Sequence, residues 1–439
     1  MKSFLAFALL STAMNAQNNN RFKEGLKIYL NNDSTHYVKA TGLAQIWVRF
    51  NENNPGSTVS GTKQSQTFDV GLRRARYQAY GQLTDRVFLY TQIGINSFNY
   101  LTTRKTPIFF HDVTAEYIVF KKHLNIGAGL HGWNGTARYS SSGVGNILGL
   151  DLPTIQETTN DVTDQFVRKL GVYAHGELGR LNYRASLSNP FILTAANGVA
   201  TLGAADTNIA YFSTQAPKMQ GNGYLFYQFL DKETTLLPYM AGSYLGKKRI
   251  VNVGSGFTYQ PDAMWYRKTN GDTAKVPLQQ FGADVFIDYY LNKEKQNAVT
   301  FYASYLDYNF GPKYIRNAGP MNPANGTTGT ASFNGAGNAY PLIGTGNVIY
   351  AQGAYLFKKD LLKSYGTLQP YFNFTYAQYQ RLKDPLLVYS VGFNWLIAGN
   401  ASKISLEYQD RPIYTTRTNG NIEQSTRRGG VILQYQASF

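Results

Sequence analysis

The sequence predicts an all-β protein: a transmembrane antiparallel β-barrel of sixteen strands, with one long early loop as a candidate to fold into the lumen. Three observations carry this. Segments of about ten residues alternate between apolar and polar side chains along nearly the whole chain, which is the pattern of barrel strands. No stretch approaches the roughly 18 consecutive apolar residues of a spanning helix. The first residues, "MKSFLAFALLSTAMNAQ", pair one Lys with an apolar run and small residues, the pattern of a cleaved export signal.

Alternating segments fall near 37–50, 67–83, 87–99, 111–120, 123–132, 165–178, 181–189 and 218–230, then near 249–259, 278–291, 297–308, 347–357, 367–381, 385–398, 401–411 and 426–439. A further apolar stretch, 234–246, carries Pro238 in mid-run, which removes a ladder donor. Barrels alternate short periplasmic turns with long outer loops. Thr84 to Arg86, Lys121-Lys122, Gly179-Arg180, Asn292 to Gln296 and Gly399-Asn400 are short, whereas 51–66, 100–110, 133–164, 190–217, 260–277, 309–346 and 412–425 are long. Counting 234–246 as a strand reverses that order in the second half, so 231–248 is expected to be an irregular periplasmic connection. The division is then a signal peptide over 1–16, a short N-terminal segment over 17–36 and the barrel over 37–439.

Parity gives each strand two faces. Ile46, Val48, Leu89, Ile93, Ile95, Phe301, Tyr305, Val391, Phe393 and Leu406 share one; Gln45, Arg49, Arg74, Arg76, Gln92, Asp112, Glu116, Lys169, His175, Arg184, Asp284, Asp288, Lys403, Glu407 and Arg411 share the other. A soluble barrel would bury the second set at a prohibitive desolvation cost. A water-filled lumen solvates them, so the apolar set is assigned to lipid and the charged set to the pore. Basic residues outnumber acidic ones on this inner face, as they do over the chain: 42 Lys and Arg against 26 Asp and Glu give a net charge of +16. Fixed positive charge around a narrow duct concentrates anions. The expected anion-contacting residues are Arg49, Arg74, Arg76, Lys169, Arg184 and Lys403 on the wall and Arg138 in the candidate constriction loop 133–164, where Tyr139 and the hydroxyls of Ser140 to Ser142 lie beside it.

The sequence argues against other classes. There is no cysteine, so neither a disulfide framework nor a thiolate metal site is available. The five histidines are scattered outside any metal-ligand or nucleophile motif, and no cofactor, metal or catalytic set is assigned. An exported chain is a poor nucleic-acid binder despite its basic balance. Two rival functions stay open: an adhesion or scaffold barrel closed by its loops, and an outer-membrane lipid hydrolase with a Ser–His pair on the outer wall.

At "FDVGLRRARYQAYGQLTDRVFLYTQIGIN" (68–96) and "VRKLGVYAHGEL…LNYRASLSNPF" (167–191) the chain resembles the phosphate-selective porins of Gram-negative outer membranes. The terminal strand ending on Phe439 is similar to the closing strand of outer-membrane barrels. The resemblance implies a trimeric sixteen-stranded barrel in the outer membrane that passes phosphate, chloride or other small anions, and it adds Arg73 to Arg74 and Arg76 as anion-contacting residues. Loops 190–217 and 309–346 are rich in Ala, Gly, Asn and Thr rather than Arg, a departure from that pattern.

Overall fold

A computed structural model describes residues 25–193, 206–329 and 332–439. The expected signal peptide lies outside the described residues, as does 17–24 of the N-terminal segment. Sixteen antiparallel strands close on themselves: β1 (Tyr37–Glu52), β2 (Gln66–Gln82), β3 (Val87–Phe98), β4 (Phe109–Phe120), β5 (Leu124–His131), β6 (Lys169–Leu178), β7 (Leu181–Asn189), β8 (Gln220–Gln228), β9 (Arg249–Arg267), β10 (Thr273–Asn292), β11 (Asn297–Asn309), β12 (Gly346–Leu356), β13 (Thr367–Tyr379), β14 (Leu386–Leu396), β15 (Ser402–Thr416) and β16 (Ile422–Ser438). Each pairs with the next, and β16 returns to β1 from Ser438 opposite Leu43 to Gly430 opposite Asn51. Closure leaves the sheet no open edge around the barrel, which is what hydrocarbon demands of a spanning sheet.

Below the seam a short strand, Leu26–Tyr29, pairs with Tyr37 to Ala40 of β1. Phe439 and Gly42 exchange main-chain hydrogen bonds at 3.1 and 3.2 Å. Gly42 is required there, because a Cβ would stand 2.3 Å from the Phe439 ring.

The faces divide as parity demands. Leu89, Val113, Leu187, Leu225, Val253, Phe301, Val391 and Leu433 are exposed on the outside, where they form the lipid belt. Phe110 and Phe120 mark its two borders on β4, the aromatic girdle positions of such barrels. Gln45, Arg74, Gln92, Asp112, Glu116, Arg184, Asp288 and Lys403 are buried inside.

Three corrections follow. The stretches 260–277 and 412–425, expected as outer loops, are mostly strand: β9 and β10 continue past a bulge between Gln260 and Met264, and β15 and β16 past an irregularity between Ile413 and Tyr414. Their extensions bury Met264, Leu278 and Tyr414 in an apolar cluster with Phe212, Tyr308 and Phe310. Second, strand β6 begins at Lys169, not at residue 165. A tight turn precedes it, with Phe166 and Val167 both at positive φ (48° and 71°) between Gln165 and Arg168. Third, the inner face is not uniformly polar. Ile250, Phe286, Tyr302, Leu306 and Val348 on β9 to β12 point inward and pack against Tyr139 and Ile155 of the long loop. That side of the lumen is a hydrophobic core.

Candidate functional site: a lumen entered from both ends

The long connection 132–168 leaves β5 and crosses the barrel. Its start is held by rings: Trp133 stacks on His175, centroids 4.0 Å apart and planes 17° off parallel. It then runs against bare wall. A Cβ on Gly282 of β10 would lie 2.2 Å from the Thr136 carbonyl, and one on Gly256 of β9 would lie 2.8 Å from the Thr136 nitrogen. On the opposite side the same loop is tied to β1, β14, β15 and β16. Gln45 donates to the Val144 carbonyl (3.0 Å), Lys403 Nζ to that of Ile147 (3.0 Å), Asn394 to that of Leu148 (2.9 Å) and Gln436 to that of Gly145 (2.8 Å). The expected constriction loop therefore spans the lumen from wall to wall.

Two further segments enter. From the outside, 310–345 folds down: the Arg49 guanidinium donates to the carbonyls of Pro320 (3.1 Å) and Met321 (2.6 Å), and Arg411 Nη2 to that of Gly337 (3.1 Å). From the periplasmic side, 229–248 rises to meet the long loop. It has no strand, as expected from the order of short and long connections, but it is not a simple turn. Met240 N–H donates to the Ser141 carbonyl and Gly143 N–H to that of Met240, each at 2.9 Å.

Most of the expected cations are already engaged. Arg49 forms a buried bidentate pair with Asp69 (2.9 and 2.8 Å). Arg73 and Arg74 share Asp151; Arg73 Nη2 reaches it at 2.8 Å. Both can do so because β2 bulges, with Gln45 opposite Arg74 and Ile46 opposite Leu72, so Arg73 is the extra residue and turns inward with its neighbour. Arg138 is not poised for an anion beside the serine hydroxyls. Its Nη atoms donate to Glu233 at 2.7 and 2.6 Å, and it stacks 3.6 Å from the Phe286 centroid. Lys169 faces Asp164 at 3.3 Å. Arg76, Arg184 and Lys403 differ. Arg76 donates to Asn96 and Gln92, Arg184 to the Pro238 carbonyl and Lys403 to the Ile147 carbonyl, so neutral oxygens alone receive them.

The expected basic surplus on the inner face is corrected accordingly. Among the described residues the buried charges are eight Arg and two Lys against six Asp and four Glu. A charge taken from water needs an opposite partner, and the inserted loops supply several: Asp151, Asp164 and Glu233. The surplus sits instead on exposed turns and loops at both rims: Lys121, Lys122, Lys247, Lys293, Lys295, Lys358, Lys359 and Lys363 at the periplasmic end, and Lys63, Arg104, Lys105, Lys268, Lys275 and Lys313 at the outer one.

Sequence reasoning missed Arg168, which reaches Asp112 at 3.3 Å and the Tyr239 hydroxyl at 2.8 Å. It stands next to Lys169, but the tight turn breaks the alternation that would have assigned its side. Arg76, Arg168, Gln78, Gln92, Lys39 and Tyr239 line a cavity of about 450 Å³ that also reaches Ser438 and Phe439, the periplasmic end of the seam. A buried Ser–His contact, Ser188 Oγ to His131 Nε2 at 3.3 Å, lies inside the barrel rather than on the outer wall. His131 Nδ1 accepts the Trp133 N–H, so Nε2 carries the ring proton and donates; it is no base for the serine.

No protein-family model matches the chain, and no curated protein matches it. Solved structures do. OprB of Pseudomonas putida aligns over 93% of this chain and 95% of its own with a TM-score of 0.53 at 9% identity. An anion-selective porin from Comamonas acidovorans aligns over 92% of this chain and 100% of its own with a TM-score of 0.50, also at 9% identity. At such identity the likeness is one of fold. The chain has the sixteen-stranded barrel fold seen in outer-membrane porins. Its exposed apolar belt on a closed strand ladder is the surface of a barrel that spans a membrane. The likeness is to porins broadly and does not single out the phosphate-selective family.

Proposed function

We propose that this protein is a porin for small anionic solutes, inorganic phosphate and chloride among them, and that it works as a homotrimer. The observation that carries the reading is Arg76. It is a buried lumen cation with amide partners only, and it faces a cavity that reaches the periplasmic mouth. Arg184, Lys403 and Arg411 likewise have neutral oxygen partners, and the lysine-rich periplasmic turns raise the local anion concentration at one mouth. Arg49, Arg73, Arg74, Arg138 and Lys169, the other residues assigned to anions, act in this reading through their carboxylate partners: they fix the inserted loops that shape the passage.

The test is electrical. In planar bilayers under a KCl gradient the reversal potential should favour chloride, and Arg76→Glu should weaken that preference. A cation-selective parent channel would refute the reading. Chemical cross-linking in native membranes reads the trimer. One observation favours a second reading, the closed scaffold barrel: three segments enter the lumen, and the long loop touches both walls. That reading requires no current at any voltage.

A further inference from the structure

The connection 229–248 does something that a periplasmic turn has no need to do. It occupies three guanidiniums at once. Glu233 accepts both Nη atoms of Arg138, the Pro238 carbonyl accepts Arg184 Nη1 at 2.8 Å, and the Tyr239 hydroxyl accepts Arg168 Nη2 at 2.8 Å. A carboxylate, a carbonyl and a phenol oxygen thus offer these arginines the oxygen surface that a small oxyanion would offer. Arg184, whose guanidinium lies over the Tyr224 ring, keeps two more nitrogens, Nε and Nη2, buried without a hydrogen-bond partner.

The segment fits its seat closely. Its main chain pairs with the long loop through Met240, and a Cβ on Gly242 would come within 2.8 Å of the Asn146 carbonyl. Below that seat, Leu245 and Gly246 both take positive φ (52° and 72°), and Lys247 is exposed. The docked part is therefore joined to β9 through a sharp bend. Apart from Met240, which packs on Tyr224 and Phe226, the contacts that keep it in the lumen are mostly polar, such as Tyr239 to Asp112 and the Tyr244 N–H to Asp288, the kind that an anion in water can replace.

We propose that residues 232–244 are a displaceable mask. Docked, the segment stands in for an anion and closes the passage beside Arg138, Arg168 and Arg184. Withdrawn toward the periplasm, it leaves three guanidiniums to a small oxyanion such as inorganic phosphate. Solute and segment compete for the same arginines, so the solute opens its own path. This rests on the channel reading above and adds a gate to it.

The chain has no cysteine, which makes the test clean. Ser142 and Met240 face each other in a parallel bridge, within the reach of a disulfide. In the full-length protein carrying Ser142→Cys and Met240→Cys, oxidation should abolish most of the conductance and reduction should restore it. Equal conductance in both redox states overturns the mask. A second measurement does not depend on current: in liposomes, Met240→Cys alone should react with a membrane-impermeant maleimide, faster when inorganic phosphate is present. No labelling, or labelling indifferent to phosphate, overturns the mask even if the double variant fails to fold. Phosphate-dependent labelling without current in any form upholds the mask and sinks the channel reading instead.

Discussion

Asp151 sits between two arginines that one bulged strand turns to the same side. Burial pushes its pKa up, but Arg73 and Arg74 outweigh that and hold the carboxyl below its ordinary value. A depressed pKa contributes stability that is present above the unfolded value, about 3.9, and is lost as pH falls through the folded one. At neutral pH the loop is therefore anchored in full. Asp151→Asn leaves two buried guanidiniums facing a neutral amide, a change that costs about 3–5 kcal/mol in comparable buried pairs. Hydrogen-exchange protection of 144–152 should collapse in that variant while the strands stay protected; unchanged protection would show that the loop is held elsewhere. Glu157 behaves in the opposite sense. Burial first, then the neighbouring Asp151, pushes its pKa up to about 7 against the opposing Arg74 and Arg168. A raised carboxyl pKa favours the docked loop at low pH, and the advantage fades as pH rises from 4.5 to about 7. Protection of 154–160, corrected for intrinsic exchange, should decline across that window, and Glu157→Gln should flatten the profile. Identical profiles in the two proteins would dismiss Glu157 as the titrating group.

Between elements, contact depends on what is missing as much as on what is present. The wall at β9 and β10 admits the long loop only because Gly256 and Gly282 leave room for Thr136. Gly282→Val should push the first half of the loop off the wall and raise single-channel conductance, while the heat-modifiable gel mobility of a closed barrel persists. Conductance equal to the parent's would mean that the passage runs elsewhere. This level also marks how far the sequence was legible. All sixteen strands could be placed because period-two alternation is local and the lipid belt repeats it in every strand. The inserted loops could not, because their contacts exist only once the barrel has closed: Arg138 meets Glu233 across 95 positions, and Arg49 meets Met321 across 272. The alternation of short and long connections correctly excluded a strand over 234–246, yet nothing local shows that the segment points up rather than away. The charge of the lumen was misjudged for the same reason. Parity counts wall residues, whereas Asp151, Asp164 and Glu233 arrive from the connections.

For the whole molecule, the question is which charges set selectivity. Inside the barrel, buried cations and carboxylates balance, and the surplus lies on exposed turns and loops at the two rims. The two contributions respond differently to salt. Exposed charges act over the Debye length, about 10 Å at 0.1 M and about 3 Å at 1 M, whereas partly buried groups are screened far less. If the lysine-rich rims gather the anions, the chloride preference read from reversal potentials should fall steeply as the mean KCl concentration rises through that range. The share due to Arg76 and the other cations without carboxylate partners should remain at high salt, and Arg76→Glu should then remove much of it. A preference that holds constant across the salt series would assign selectivity to the lumen alone. One that vanishes at high salt in the parent would assign it to the rims and leave Arg76 as a structural cation.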